Sequence, residues 1–180
     1  MRTTFQGPLR SLTGAYTQGP NSVVTITAST VLNPEAHAGR ILLVGGTLAA
    51  NVVLTLPQIV ATANPASSGP GENPSTANNI GITYTIMVPT TIATSSLKIG
   101  TAVAADLYIG GVLSVDTDTS NAVAYFTPNG SSNDFINFNG GTTGGVIGTW
   151  VEITAIAANK YRVNGIAFGS GIVATPFADS

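Results

Sequence analysis

The chain has 180 residues, enough for one domain that buries about two thirds of the surface its unfolded form would expose. Charged residues are only 8% of it, against about 25% in an ordinary globular protein, and a net charge of -2 supplies no field to gather nucleic acid. With no cysteine, thiol catalysis, disulfides and thiolate metal sites are excluded. No apolar run approaches the roughly 20 residues that span a bilayer, and the N-terminus lacks the apolar stretch of a signal peptide. The product is therefore expected to be soluble when made, with no membrane and no nucleic acid among its partners.

Residues 1–20, "MRTTFQGPLRSLTGAYTQGP", read as an arm outside the domain. Phe5, Leu9, Leu12 and Tyr16 are its apolar positions, Arg2 and Arg10 are two of the chain's four arginines, and Gly7, Pro8 and Gly14 argue against a regular helix. The alternative is a frayed terminus. Strand-like alternation follows in "VVTITA", where Val24, Ile26 and Ala28 share a face, and again in "GRILLV". In "NVVLTLP", Val52, Leu54 and Leu56 share a face before Pro57 stops the strand. The segment from Thr62 to Asn79 is longer than structureless connections usually are, and reads as an exposed or contact loop. Beyond it "GITYTIMV" places Ile82, Tyr84, Ile86 and Val88 on one side.

Further strand-like runs are "ADLYIGGVLSV", "AVAYFT", "DFINF", "TWVEITAI" and "YRVNGIAF", parted by Gly, Pro, Asn and Asp clusters. The spacing predicts an all-β fold, a jelly-roll-like antiparallel β-sandwich over residues 21–180 carrying the N-terminal arm. The last two runs form a hairpin if Ala158, Asn159 and Lys160 make a three-residue loop, so that Ala157 faces Tyr161. Val151, Ile153, Ala155, Tyr161 and Val163 then share a core face. The opposite face carries Glu152, Thr154, Arg162 and Asn164 and sets Trp150 directly across from Phe168. Such an aromatic pair needs a cover, either a loop of the same chain or a second subunit.

Chemistry is hard to build from these residues. The glycine cluster "GGTTGG" is followed by a strand-like run instead of a helix, and no Lys-Ser or Lys-Thr closes a phosphate loop. His37, the single histidine, would have to serve alone as base or metal ligand in "NPEAHAGR". "DTDTSN" from Asp116 starts like a calcium loop but has Asn121 where glycine is required and Thr127 where glutamate is. A looser cation site on Asp116 and Asp118 competes with a solvated turn. Asp106, Asp134 and Glu152 could converge in space as a carboxylate pair, though nothing singles them out. Tyr108, Tyr125, Phe126, Phe135 and Phe138 read as core, with a sugar-binding platform as the alternative. No catalytic residue, cofactor or metal site is expected, and the protein is not expected to be an enzyme.

The segments "GGTTGG", "GTWVEITAIAANKYRVNG" and "GIVATPF" resemble the C-terminal portion of tailed-phage virion proteins that close with a glycine-rich turn, a Trp-Val-Glu strand and a Lys-aromatic-x-Val-x-Gly strand. The opening "FQGPLRSLTGAY" is similar to the start of structural proteins from marine tailed phages. Where such proteins often have Asp before the Ile-Ala pair, this chain has Ala155, which removes a hydrogen bond from the hairpin. The resemblance implies a jelly-roll capsid decoration or head-appendage protein, a homotrimer that docks on the major capsid protein at the exterior of the virion after being made in the host cytoplasm. Arg2, Phe5, Leu9, Arg10, Leu12 and Tyr16 would then form the docking arm, and Trp150 and Phe168 the subunit interface. The alternative is a head fibre or tail-tip adhesin that binds host-surface glycan.

Overall fold

The computed structural model describes residues 22–46, 48, 50–61, 79–119 and 122–179. The arm at 1–20 and all but Asn79 of the expected loop lie outside the described residues. The elements in chain order are β1 (Val23–Thr25), β2 (Thr30–Val31), the one-turn helix α1 (Pro34–His37), β3 (Ile41–Leu43), β4 (Val52–Leu56), β5 (Thr83–Met87) and β6 (Leu97–Thr101). They continue with β7 (Leu107–Asp116), β8 (Val123–Phe126), β9 (Phe135–Phe138), β10 (Trp150–Ala157), β11 (Lys160–Gly169) and β12 (Phe177–Ala178).

The fold is an all-β sandwich, as the alternation requires. One sheet has seven strands in the order β1-β3-β5-β10-β11-β7-β8, the other five in the order β12-β9-β6-β4-β2. From β1 to β6 the chain changes sheet with every strand. As a result β1, β3 and β5 lie side by side in parallel, and so do β2, β4 and β6. The longest pairing, β11 on β7, is also parallel and runs from Lys160 opposite Leu107 to Gly169 opposite Asp116. The sheets are thus mixed and do not follow the wholly antiparallel order expected of a jelly roll. Alternation reports which face of a strand is buried, and that signal is the same whichever way the neighbour runs.

The core lies between the sheets. Leu54 and Leu56 from β4, Tyr84 and Ile86 from β5, Val151 and Ile153 from β10 and Tyr161 and Val163 from β11 are each at most 1% exposed. All were placed on the inward face by period-two reading. Sequence alone misses three strands. In β6, "LKIGT", only Lys98 alternates with the buried Leu97 and Ile99 before Gly100 and Thr101, both buried as well, break the pattern. The strands β2 and β12 have two residues each, too few to show a period. Asn79 closes the base of the segment that precedes β5: its Oδ1 accepts from Val60 N–H at 2.8 Å and its Nδ2 donates to the Gln58 carbonyl at 2.8 Å.

Candidate functional site

The β10–β11 hairpin closes more tightly than three loop residues would allow. Ala157 pairs with Lys160, leaving the two-residue turn Ala158–Asn159, and a bulge at Ile156 then brings Ala155 opposite Tyr161. Asn159 sits at φ 58, a left-handed conformation that asparagine tolerates better than most side chains. The register is therefore shifted by two residues from the expected one. Trp150 faces Ile166, and Phe168 stands one row further on, opposite Val115 of β7. The direct Trp150–Phe168 pair does not form. Because a shift of two preserves which face each side chain takes, the core assignments of Val151, Ile153, Ala155, Tyr161 and Val163 survive it.

What Trp150 joins is larger than a pair. Reading residue by residue across the hydrogen-bonded strands, Thr25, Leu43, Met87, Trp150, Ile166, Leu113 and Tyr125 form a single row on the outer face of the seven-stranded sheet. At the usual strand spacing this row is about 29 Å long. A second apolar row, Phe168, Val115 and Val123, lies beside it on β11, β7 and β8. Much of this surface is open, with Val123 63%, Tyr125 60% and nearby Ile147 59% exposed. On the other side of the long row the face turns polar. Thr85, Glu152 and Asn164 line up next, followed by Thr83, Thr154 and Arg162, with the two threonine hydroxyls 2.8 Å apart. The rows on β11, β7 and β8 are thus apolar and uncharged. On the other side the polar groups occupy β5, β10 and β11, and exposed Ile41 and Val23 continue the first polar row to the β1 edge. A contiguous apolar patch of this kind on a charge-poor protein is the feature that marks an interaction surface.

The groups that could have carried chemistry are occupied by structural work. His37 ends α1, and its Nδ1 accepts from the Asn33 N–H at 2.8 Å, which closes the turn. Asp116 Oδ1 accepts from Asp118 N–H at 2.9 Å and Asp118 Oδ2 from Gly171 N–H at 2.8 Å, so both carboxylates hold backbone at a turn. The glycine cluster folds back on itself: Gly140 N–H donates to the Gly144 carbonyl at 2.8 Å, and Gly141 and Gly144 form an isolated bridge. Buried Thr149 ties this turn to β11, its Oγ1 accepting from Gly145 N–H at 3.1 Å and from Phe168 N–H at 3.0 Å. The next element is a strand, β10, so no helix terminus faces the turn. Among the described residues no three His, Cys, Asp or Glu side chains gather as a metal site.

The three carboxylates do not meet. Glu152 is on the outer face of the seven-stranded sheet, whereas Asp106 and Asp134 are buried. Asp106 accepts from Ile59 N–H at 2.8 Å through Oδ2, while its Oδ1 is buried with no hydrogen-bond partner. Desolvation raises the Asp106 pKa, and the Ile59 N–H opposes this only in part. The folded state therefore holds the Asp106 proton more tightly than the unfolded chain does. Its stability is fully present below the ordinary aspartate value of 3.8 and falls as pH rises from there through the raised folded value. Asp106→Asn, which keeps an acceptor for Ile59, should accordingly melt higher than the parent at neutral pH. The difference should close as the pH is lowered to about 4. Melting curves across that range check it, and a variant that melts lower at every pH would refute it.

Tyr161 lies near Asp106 and is buried together with Tyr84 and Tyr108. Tyr161 donates to the Pro57 carbonyl at 2.6 Å and Tyr108 to the Ile99 carbonyl at 3.1 Å, and burial raises the pKa of both, so they remain neutral hydroxyls. The expectation that Tyr108 and Phe138 are core holds, and Phe126 packs partly against it. Tyr125 and Phe135 instead point outward, one from each sheet, because each occupies the outer phase of its strand's alternation. With this geometry in view, the comparisons with known proteins add no relative: no family model matches the chain, and neither does any curated protein or solved structure.

Proposed function

We propose that this chain is a structural protein of a phage particle that decorates or cements the capsid, self-associating through the outer face of the seven-stranded sheet. The observation that carries the self-association is the apolar row centred on Trp150. The phage setting and the threefold state rest on the resemblance of the terminal segments quoted above. In this reading Trp150 and Phe168 belong to the subunit interface as members of neighbouring rows. Residues 1–20, with Phe5, Leu9, Leu12 and Tyr16 as anchors and Arg2 and Arg10 as donors, dock on the major capsid protein. The mechanism is mass action: each oligomer binds only the assembled shell, bridges neighbouring shell subunits and so stabilises that state over dissociated ones. An oligomer presents several arms at once, which offsets the entropy lost when each arm orders.

Two measurements test this. Light scattering on the purified protein should give a trimer at micromolar concentration, and a monodisperse monomer would refute self-association. Undecorated tailed-phage capsids, mixed with the intact chain or with one lacking residues 1–20 and then sedimented, should retain the intact chain only. Added salt should weaken that attachment modestly, because each arm carries two charges, whereas Phe5→Ala with Leu9→Ala should weaken it strongly. Equal binding by the truncated chain would move docking to the sandwich itself.

A further inference from the structure

The outer face of the five-stranded sheet is built differently from the apolar face opposite. In β9 the alternation turns Ile136 and Phe138 into the core and Phe135 and Asn137 outward. Asn137 pairs with Lys98 of β6, Phe135 with Gly100, and Ala178 of β12 lies on the far side of Phe135. A side chain at position 100 would stand 2.6 Å from Cε1 and Cζ of Phe135, so the ring occupies the space that glycine leaves open. Together Lys98, Phe135, Asn137, Ala178 and Asp179 line a pocket of about 180 Å³.

Its polar groups are not used by the fold. Asn137 anchors the strand through its backbone, donating N–H to the Pro176 carbonyl at 2.8 Å, but its side-chain Oδ1 is buried without a hydrogen-bond partner. A buried amide atom left in that state needs a reason, because folding normally satisfies such groups. Among the described residues neither the Lys98 ammonium nor the Asp179 carboxylate has an ion-pair partner. The pocket therefore offers an aromatic wall, a donor, an acceptor and an amide that serves as both, with no fold-derived use for any of them.

We infer that this pocket binds a single sugar ring, with Phe135 against the ring's C–H face and Asn137, Lys98 and Asp179 around its hydroxyls. Two features select that class. The volume falls below the roughly 300 Å³ at which sites for larger ligands begin, so one ring fills it. The charges have opposite signs, so a purely anionic ligand would meet Asp179 and a purely cationic one Lys98. A neutral polyol escapes both conflicts, since each hydroxyl donates and accepts. The inference stands apart from capsid decoration, because it uses the other sheet and neither the arm nor the Trp150 row.

The test is a titration of the isotope-labelled intact chain with the methyl glycosides of glucose, galactose, mannose and N-acetylglucosamine, read by nuclear magnetic resonance. At least one should shift the Asn137 side-chain NH₂ signals and saturate with a Kd of about 1 mM, as expected for one ring in a shallow site. Phe135→Ala should weaken it at least tenfold, and Lys98→Met and Asp179→Asn several-fold. If Phe135→Ala loses its cooperative melt, the two charge variants, which alter no core residue, decide the question. No shift at Asn137 with any of the four sugars would overturn the proposal. So would sugar binding that both charge variants leave unchanged. Capsid sedimentation of Asp179→Asn separates the two readings: shell binding should be that of the parent even where sugar binding is lost.

Discussion

Shortening Trp150 to alanine is expected to weaken self-association by about 30-fold or more, the effect of losing roughly 2 kcal/mol at the centre of an interface. Trp150 has three neighbours on each side in its row, Thr25, Leu43 and Met87 towards one edge and Ile166, Leu113 and Tyr125 towards the other. A large aromatic at the middle of an apolar strip is the position from which water is most fully excluded when the strip is covered. The protomer should lose less. Trp150 is half-buried, and the inward neighbours Val151 and Ile153, which build the core, are untouched. Sedimentation velocity over a dilution series measures the first effect, and melting of dilute, dissociated protein the second, expected to be a few degrees. If the oligomer is unchanged while melting falls, Trp150 serves the protomer and the row is not the interface. Tyr125→Ser gives a companion test at a side chain 60% exposed, where protomer stability has little to lose.

The largest stability effect is expected from Gly140→Ala. Gly140 has φ +75, where a side chain is strained, and a Cβ there would collide with the carbonyl oxygen of Ile92. That carbonyl cannot easily retreat. Ile92 N–H donates to the Gly145 carbonyl at 3.0 Å and its side chain is buried, so the 92 segment is pinned to the same glycine turn. Strain and collision together should cost roughly 3 kcal/mol or more, lowering the melting temperature by about 6–12 °C. Gly130→Ala is the control. Gly130 has a similar φ of +73 but nothing within 4 Å of an added Cβ, so it should show the backbone strain alone, about 1 kcal/mol. Equal losses at the two positions would mean that the contact with Ile92 carries no weight.

The glycine turn also shows how far local reading reaches. A strand after "GGTTGG" could be recognised from the alternation of Val151, Ile153 and Ala155, and that ruled out a helix terminus for phosphate. The collision partner at Ile92, 48 positions earlier in the chain, could not be recognised. The outer positions of the hairpin behave in the same way. Composition and alternation placed Trp150 and Phe168 on the face away from the core, but their partners depended on a bulge at Ile156 that leaves no mark in the pattern. Of the pocket residues the sequence singles out only Phe135, as core or as part of a sugar-binding platform, and the others go unnoticed for a related reason. Lys98 sits in a strand whose alternation lasts only three residues, Asp179 follows a two-residue strand, and Phe135 reads as core until its neighbour is known to be glycine. An aromatic and an asparagine two apart on a strand, as in Phe135 and Asn137, is the one signal that could have been followed.

By itself the sequence determined that this is an all-β sandwich and, in β4, β5, β10 and β11, which residues face inward, because burial on a strand follows a period of two that each of these segments carries within itself. It also set the charge-poor surface and left His37 as the only histidine. Only the tertiary structure decided that β1, β3 and β5 run parallel, that the hairpin slides by two, that Trp150 heads no pair but joins a row across seven strands, and that Phe135 stands over Gly100 beside an unsatisfied amide. These are facts about neighbours. A strand's own residues specify what it must bury and not against which distant segment it buries it, and that choice is settled when the whole core is packed at once.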